Sequence, residues 1–234
     1  MTRSNREAAS TAYLPRAKRA ALHAAWLLLV AVIVEFLLIT YRKYGHVDAG
    51  SYSIFWSRRG WLWAHLAGGT LTVLLGPFQF LTRIRSAYPQ IHRWTGRIYL
   101  LAMLVACVGA AGLIATTPAG FGLQLAFAAT GLAWLFTALM GFNAIRRKLP
   151  HGHRRWMVRN YIVTFTFVTF RAATLIPGVM ELAPPSVMIP TLLWLSWVVP
   201  LLAYEAGMAM SMKKNSWQPA MPERHASIPT LSAS

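Results

Sequence analysis

The chain has 234 residues, 56% of them hydrophobic and only 12% charged, with a mean hydropathy of +0.44. Those proportions exclude an ordinary soluble globule, which carries about a quarter of its residues charged. The formal net charge of +17 would suit a nucleic-acid binder. The cations stand at the ends of apolar blocks, however, which directs them to anionic lipid headgroups and leaves no nucleic-acid partner expected.

In chain order, residues 1–20 form a basic segment containing Arg3, Arg6, Arg16, Lys18 and Arg19. The apolar block over 21–40 then reaches the roughly 20 residues needed to cross a hydrocarbon core of about 30 Å. It is longer than a usual signal core of about 7 to 15 residues and no clear small-x-small site follows it, so it reads as a retained span. Further blocks of spanning length lie at 61–80, 98–115, 121–142, 156–176 and 187–208. The expected architecture is an all-α, polytopic membrane bundle of about six transmembrane helices over 21–208. Residues 209–234, with prolines and serines but no apolar periodicity, are expected to form a disordered tail.

The basic residues orient this bundle. The first segment, the second connection (Arg83, Arg85, Arg93, Arg97), the fourth (Arg146, Arg147, Lys148, Arg154, Arg155, Arg159) and the tail (Lys213, Lys214, Arg224) carry 18 cations. The alternating regions carry four: Arg42, Lys43, Arg58 and Arg59. By the positive-inside rule both termini are expected to be cytoplasmic, with the basic loops against anionic headgroups.

Within the spans, Ala102, Ala106 and Ala110 recur every four residues beside Gly109 and Gly112, a pattern that lets a neighbouring backbone come close. Pro77, after Gly76, removes a backbone donor and predicts a kink or helix end. Cys107 is the single cysteine, so no intramolecular disulfide or thiolate metal site is available. A repeat is also visible. Trp94, Arg97 and Tyr99 match Trp156, Arg159 and Tyr161, and the trios follow His92-Arg93 and His153-Arg154. The 62-residue offset predicts that the third and fourth spans repeat as the fifth and sixth, with these aromatic and basic residues anchoring in the headgroup layer.

His65, then Gly76-Pro77-Phe78-Gln79-Phe80, then His92-Arg93-Trp94-Thr95-Gly96-Arg97-Ile98-Tyr99, then His153-Arg154-Arg155-Trp156-Met157-Val158-Arg159 and on to Val168-Thr169-Phe170-Arg171 follow one another in a specific order. This order resembles the predicted bacterial membrane-protein family catalogued as domain of unknown function 2306. The resemblance covers roughly residues 61–177. It implies a multi-pass protein of the bacterial inner membrane and names no reaction.

Ionisable side chains at membrane depth cost about 2.5–3.5 kcal/mol on insertion scales and usually mark a function. Counting a rise of about 1.5 Å per residue from each midpoint puts Glu35, His65 and Arg171 about 7–8 Å toward the outer face. Thr164, seven residues before Arg171, extends the same helix face. These four are the candidates for binding or moving a small ligand or protons, with Arg171 for an anionic group, His65 as proton donor or acceptor and Glu35 as counter-ion. A buried Glu35–Arg171 pair that only sets helix register is the alternative.

A second constellation is cytoplasmic. His92 and His153 could ligate a b-type haem, with Arg93, Arg97, Arg154 or Arg159 at its propionates. In this the chain is similar to membrane cytochromes of the b561 kind, but its histidines stand at the headgroup level. The alternative is that they bind headgroups or cap helices. No carboxylate or thiolate is near His151 and His153 in sequence, so no metal site is expected. Glu205 is expected to pair with the basic loops. No nucleophile triad or phosphate loop is present, leaving a carrier or lipid-handling protein, an electron carrier, and a structural or assembly protein as the classes to separate.

Overall fold

The computed structural model describes residues 16–216, apart from the side chains of Ala17 and residues 214–216. Arg3, Arg6, Arg224 and most of the expected tail lie outside the described residues. Helix α1 runs Arg16–Tyr44, α2 Ala49–Tyr52, α3 Arg59–Phe80, α4 Thr82–Ala87 and α5 Pro89–Ala115. Then come α6 Phe121–Arg146, α7 Pro150–Thr164, α8 Thr166–Thr174 and α9 Pro185–Ser216. Short 3-10 turns at Ser53–Arg58 and Val179–Glu181 complete the order, and the described residues contain no strand.

By length and composition four helices can cross a membrane: Lys18–Tyr44, Pro89–Ala115, Phe121–Arg146 and Pro185–Lys213. They fall on four of the six predicted spans. The predicted span at 61–80 corresponds to α3, whose apolar character is diluted by His65, Gly68, Gly69, Thr72 and Pro77. Pro77 does not break it, and the helix ends three residues later at Phe80.

The predicted span at 156–176 is not one helix. A turn at Phe165 separates α7 from α8. The cause is a run of threonines whose hydroxyls return to backbone carbonyls: Thr164 to Asn160 (2.9 Å), Thr166 to Val163 (2.6 Å) and Thr169 to Thr166 (2.9 Å). Such back-bonding bends helices. The backbone still carries through, since the Phe165 N–H donates to Tyr161 O at 2.9 Å and Thr169 N–H to Phe165 O at 3.0 Å.

The boundary expected at 208 is also corrected, because α9 continues to Ser216. Residues 209–216 are methionine-, alanine- and lysine-rich, and these are good helix formers. Pro89 and Pro150 each open a helix at its first turn, where the missing N–H costs nothing.

The main packing is in hairpins: α3 lies along α5, and α6 along α7. Gly68 faces the Ala102 carbonyl and the Ala106 amide, while Gly109 faces the backbone of Trp61 and His65. That register is antiparallel, and the alanine–glycine stripe of α5 is the contact, as expected from its spacing. The repeat changes frame accordingly. Each His-Arg and Trp-x-x-Arg-x-Tyr copy opens the second helix of a hairpin, so α3–α5 corresponds to α6–α7. The third and fourth spans of the predicted repeat, and the fifth and sixth, also touch, though less extensively than the helices of these hairpins.

Two apolar clusters fill the interior. Met103 and Ala106 meet Trp134, Ala138 and Val163, with Trp197 of α9 against them. Ile33, Val73 and Val168 bring together α1, α3 and α8. Leucines such as Leu27, Leu101, Leu132 and Leu202 stand exposed around the outside, an arrangement that suits a lipid solvent rather than water.

Gly68→Ala would press a methyl group against the Ala102 and Ala106 backbone, which cannot move aside. It should cost about 1–3 kcal/mol, read as a lower unfolding midpoint in detergent. Gly69→Ala, which meets open space and removes a glycine from a helix interior, should leave the midpoint unchanged or raise it slightly.

Candidate functional site

The buried polar groups gather at one place. Asn160 is fully buried and Tyr99 is 1% exposed. The Tyr99 hydroxyl donates to Asn160 Oδ1 at 2.6 Å. The Asn160 amide donates to Trp134 O at 2.9 Å and to Thr137 Oγ1 at 3.0 Å. Trp134 Nε1 donates to Thr164 Oγ1 at 2.7 Å, and that hydroxyl is also 2.7 Å from the Tyr99 hydroxyl. Every donor and acceptor of the Asn160 amide is used, and α5, α6 and α7 are tied together. The network is saturated, so it holds structure and offers nothing to a ligand.

This corrects two expectations. Thr164 belongs to this network rather than to a face shared with Arg171. Tyr99 and Tyr161 are internal rather than headgroup anchors, since the Tyr161 hydroxyl donates to Val73 O at 3.1 Å. Its ring lies against Gly76, where a Cβ would collide with it; the glycine before Pro77 is there to admit Tyr161. The available signal for the network was a lone asparagine inside an apolar span.

The outer trio does not meet. His65 Nδ1 is 3.0 Å from the Ala106 carbonyl, and its ring packs edge-on against Phe167 at 5.3 Å. Arg171 stands one turn beyond Phe167, half-buried. Glu35 is exposed on α1, on the side opposite Ile33, Phe36 and Leu37, which face the bundle. Neither Glu35 nor Arg171 has a side-chain hydrogen bond or ion pair among the described residues. The Glu35–Arg171 pair given above as the alternative is therefore not formed within one chain.

At the basic end, each repeat copy stacks its arginine on its tryptophan: Arg97 lies 4.8 Å from the Trp94 ring centre and Arg159 4.7 Å from that of Trp156, geometry suited to cation–π attraction. Arg159 also forms a bidentate pair with Glu205, at 2.6 and 2.8 Å, so Glu205 does meet the basic side. His153 Nδ1 is 2.9 Å from Gly141 O. His92 Nδ1 is buried without a partner, and the His153 side chain and the Arg85 cation lie within electrostatic reach of it. Arg93 and Arg97 line a shallow depression with Gln90 and Trp94, and Arg154 is exposed.

Between α1, α3, α7, α8 and α9 lies a groove of about 400 Å³ near this end. Its walls are Trp26, Leu29, Pro77, Phe80, Phe165 and Pro200, with Tyr161, Thr169 and Ser196 among them. The polar atoms of these three are already committed: Tyr161 to Val73 O, Thr169 Oγ1 to Ser196 O at 3.0 Å, and Ser196 Oγ to Leu192 O at 2.7 Å. What remains toward the groove is hydrocarbon. Sequence reasoning did not find it, because no motif marks a wall assembled from one or two residues per helix.

The family model described as "Predicted membrane protein (DUF2306)" matches residues 62–206. No curated protein and no solved structure matches the chain.

Asn160→Ala would remove the acceptor of the Tyr99 hydroxyl and the amide donations to Trp134 O and Thr137 Oγ1, and should cost about 1–3 kcal/mol. Tyr99→Phe removes one hydroxyl and should cost less. Unfolding of both variants in the same detergent checks the order.

Proposed function

We propose, for a chain that belongs to this family of predicted membrane proteins, that it crosses a bacterial inner membrane six times with both termini cytoplasmic and binds a bilayer-resident amphiphile in the groove. Two further crossings are supplied by α3, about 33 Å long at 1.5 Å per residue, and by α7 with α8, about 37 Å. Both are packed against helices that are long and apolar enough to span. The uneven distribution of cations supports the orientation.

The observation that carries the binding reading is the groove. Pockets for small molecules occupy about 300–1,000 Å³ and bind through apolar walls with few polar contacts. Here the hydroxyls of Tyr161, Thr169 and Ser196 are internally bonded and the rest of the lining is apolar but for the Trp26 indole nitrogen, so the occupant is held by dispersion and is a hydrocarbon chain rather than a polar solute. His23 and Arg19 lie one and two turns before Trp26 on α1. The Arg19 cation on this rim favours an anionic headgroup above the chain. The level of Glu35, His65 and Arg171 supports binding less well, because those side chains share no contact.

A test uses vesicles of phosphatidylglycerol bearing a diazirine in its acyl chain. Photolabelling should concentrate on peptides containing Trp26, Phe80 and Ile162, and Ser196→Trp should reduce it several-fold by filling the groove. Labelling spread evenly over the outward leucines would defeat the reading.

One observation favours a second reading. His92 presents a buried, unpartnered Nδ1 within electrostatic reach of His153, and two imidazoles from different helices are the ligand set of a b-type haem. Arg93, Arg97 and Arg154 could meet the propionates, whereas Arg159 is committed to Glu205. Haem would supply one-electron chemistry. Protein expressed with adequate haem should then show a dithionite-reduced α-band that is lost in His92→Ala; a flat spectrum from folded protein removes this reading.

A further inference from the structure

The charges left unpaired at membrane depth point outside the single chain. Helix α1 is the most uncovered of the spanning helices, with 6% of its apolar window buried. Leu27, Leu28, Val34 and Leu38 are all at least 43% exposed along it. Glu35 stands among them, exposed and without a partner among the described residues. A carboxylate on such a face is costly in hydrocarbon unless something of opposite charge meets it.

The opposite charge is on the neighbouring helix. Trp26 and Leu29 share the groove with Tyr161 and Phe165, and Ile33 packs with Val168, so α1 and α7–α8 run in the same direction. From the Ile33–Val168 contact, Glu35 lies about 3 Å further along and Arg171 about 4.5 Å further. The two charges therefore share a level. They do not meet within the chain, because Phe36 and Leu37 occupy the face of α1 that is turned inward. Arg171 is half-buried beside α1 and likewise has no side-chain partner among the described residues.

We infer that two copies of this chain associate about a two-fold axis, with Glu35 of each copy paired to Arg171 of the other. A two-fold contact is self-complementary. Since donor and acceptor lie on one chain at one level, the same interface contains the pair twice. The uncovered leucine and valine face of α1 supplies the apolar remainder of the contact. The inference concerns the outer flank of α1 and does not depend on what occupies the groove.

The test begins with Cys107→Ser protein, to which Glu35→Cys is added in one tagged version and Arg171→Cys in a differently tagged version, coexpressed in one membrane. A bis-methanethiosulfonate cross-linker, whose spacer replaces the reach of the two side chains that a direct disulfide lacks, should give a linked species carrying both tags. In nanodiscs, photobleaching should count two copies for the unaltered chain. Glu35→Arg or Arg171→Glu alone should weaken association about tenfold or more, and the double exchange should restore it. Helical circular dichroism and a monodisperse elution profile establish that each variant is folded. The inference is overturned if folded protein is monomeric in nanodiscs, if the mixed-tag cross-link is absent, or if the single exchanges leave the copy number unchanged.

Discussion

Asn160 is enclosed by three helices in a protein whose surroundings are themselves apolar, and it can remain there only because its amide spends both donors and its acceptor inside. In a bilayer no water replaces a missing partner. Tyr99, Trp134, Thr137 and Thr164 must therefore hold the positions from which they reach it and one another. This fixes α5, α6 and α7 in rotation about their axes as well as in register. The apolar cluster of Met103, Ala106, Trp134, Ala138 and Val163 surrounds the same point. Hydrogen bonds between spanning helices average well under 2 kcal/mol each, so the network's role is to select one arrangement rather than to supply most of the stability.

Close backbone approach supplies the complementary constraint. Lipid tails are as apolar as leucine, so helices gain little from hiding hydrocarbon and must gain from contact. Glycines at 68 and 109 let α3 and α5 meet backbone to backbone, and Gly76 admits the Tyr161 ring. These contacts also explain the repeated motif. In each copy the proline starts the helix and the arginine stacks on the tryptophan at the rim. The tyrosine, one turn deeper, enters the interior. The copies differ in what the tyrosine finds: Asn160 and Thr164 for Tyr99, the Val73 carbonyl for Tyr161.

Around this rigid centre the other features divide by their distance from it. Arg159 and Glu205 close the basic end through a bidentate pair, while the groove lies beside the threonine-bent junction of α7 and α8. The hydroxyls of Thr164, Thr166 and Thr169 turn back to the main chain, and Thr169 also reaches Ser196 O. Glu35 and Arg171 lie outside this saturated system and keep bonding capacity at membrane depth.

Much of the architecture was legible in the sequence because it rests on local composition. Four spanning helices, the prolines opening α5 and α7, the small-residue stripe of α5 and the pairing of Glu205 with the basic side all follow from residue type and spacing. The break at Phe165 was not legible, since threonine hydroxyls choose between solvent and backbone only in context. Nor was the direction of Glu35: helical counting places a residue at a depth, but the azimuth of the whole helix depends on which neighbours it meets. Tyr99 and Tyr161 show the same limit, because an aromatic near a span end serves equally as a headgroup anchor or as a buried donor. The sequence by itself determined that this chain is a helical membrane protein and where its charge is dense. Only the tertiary structure decided which polar groups are spent on one another and which are left over, because hydrogen bonds between helices depend on relative rotation and register, and neither is encoded at any single position.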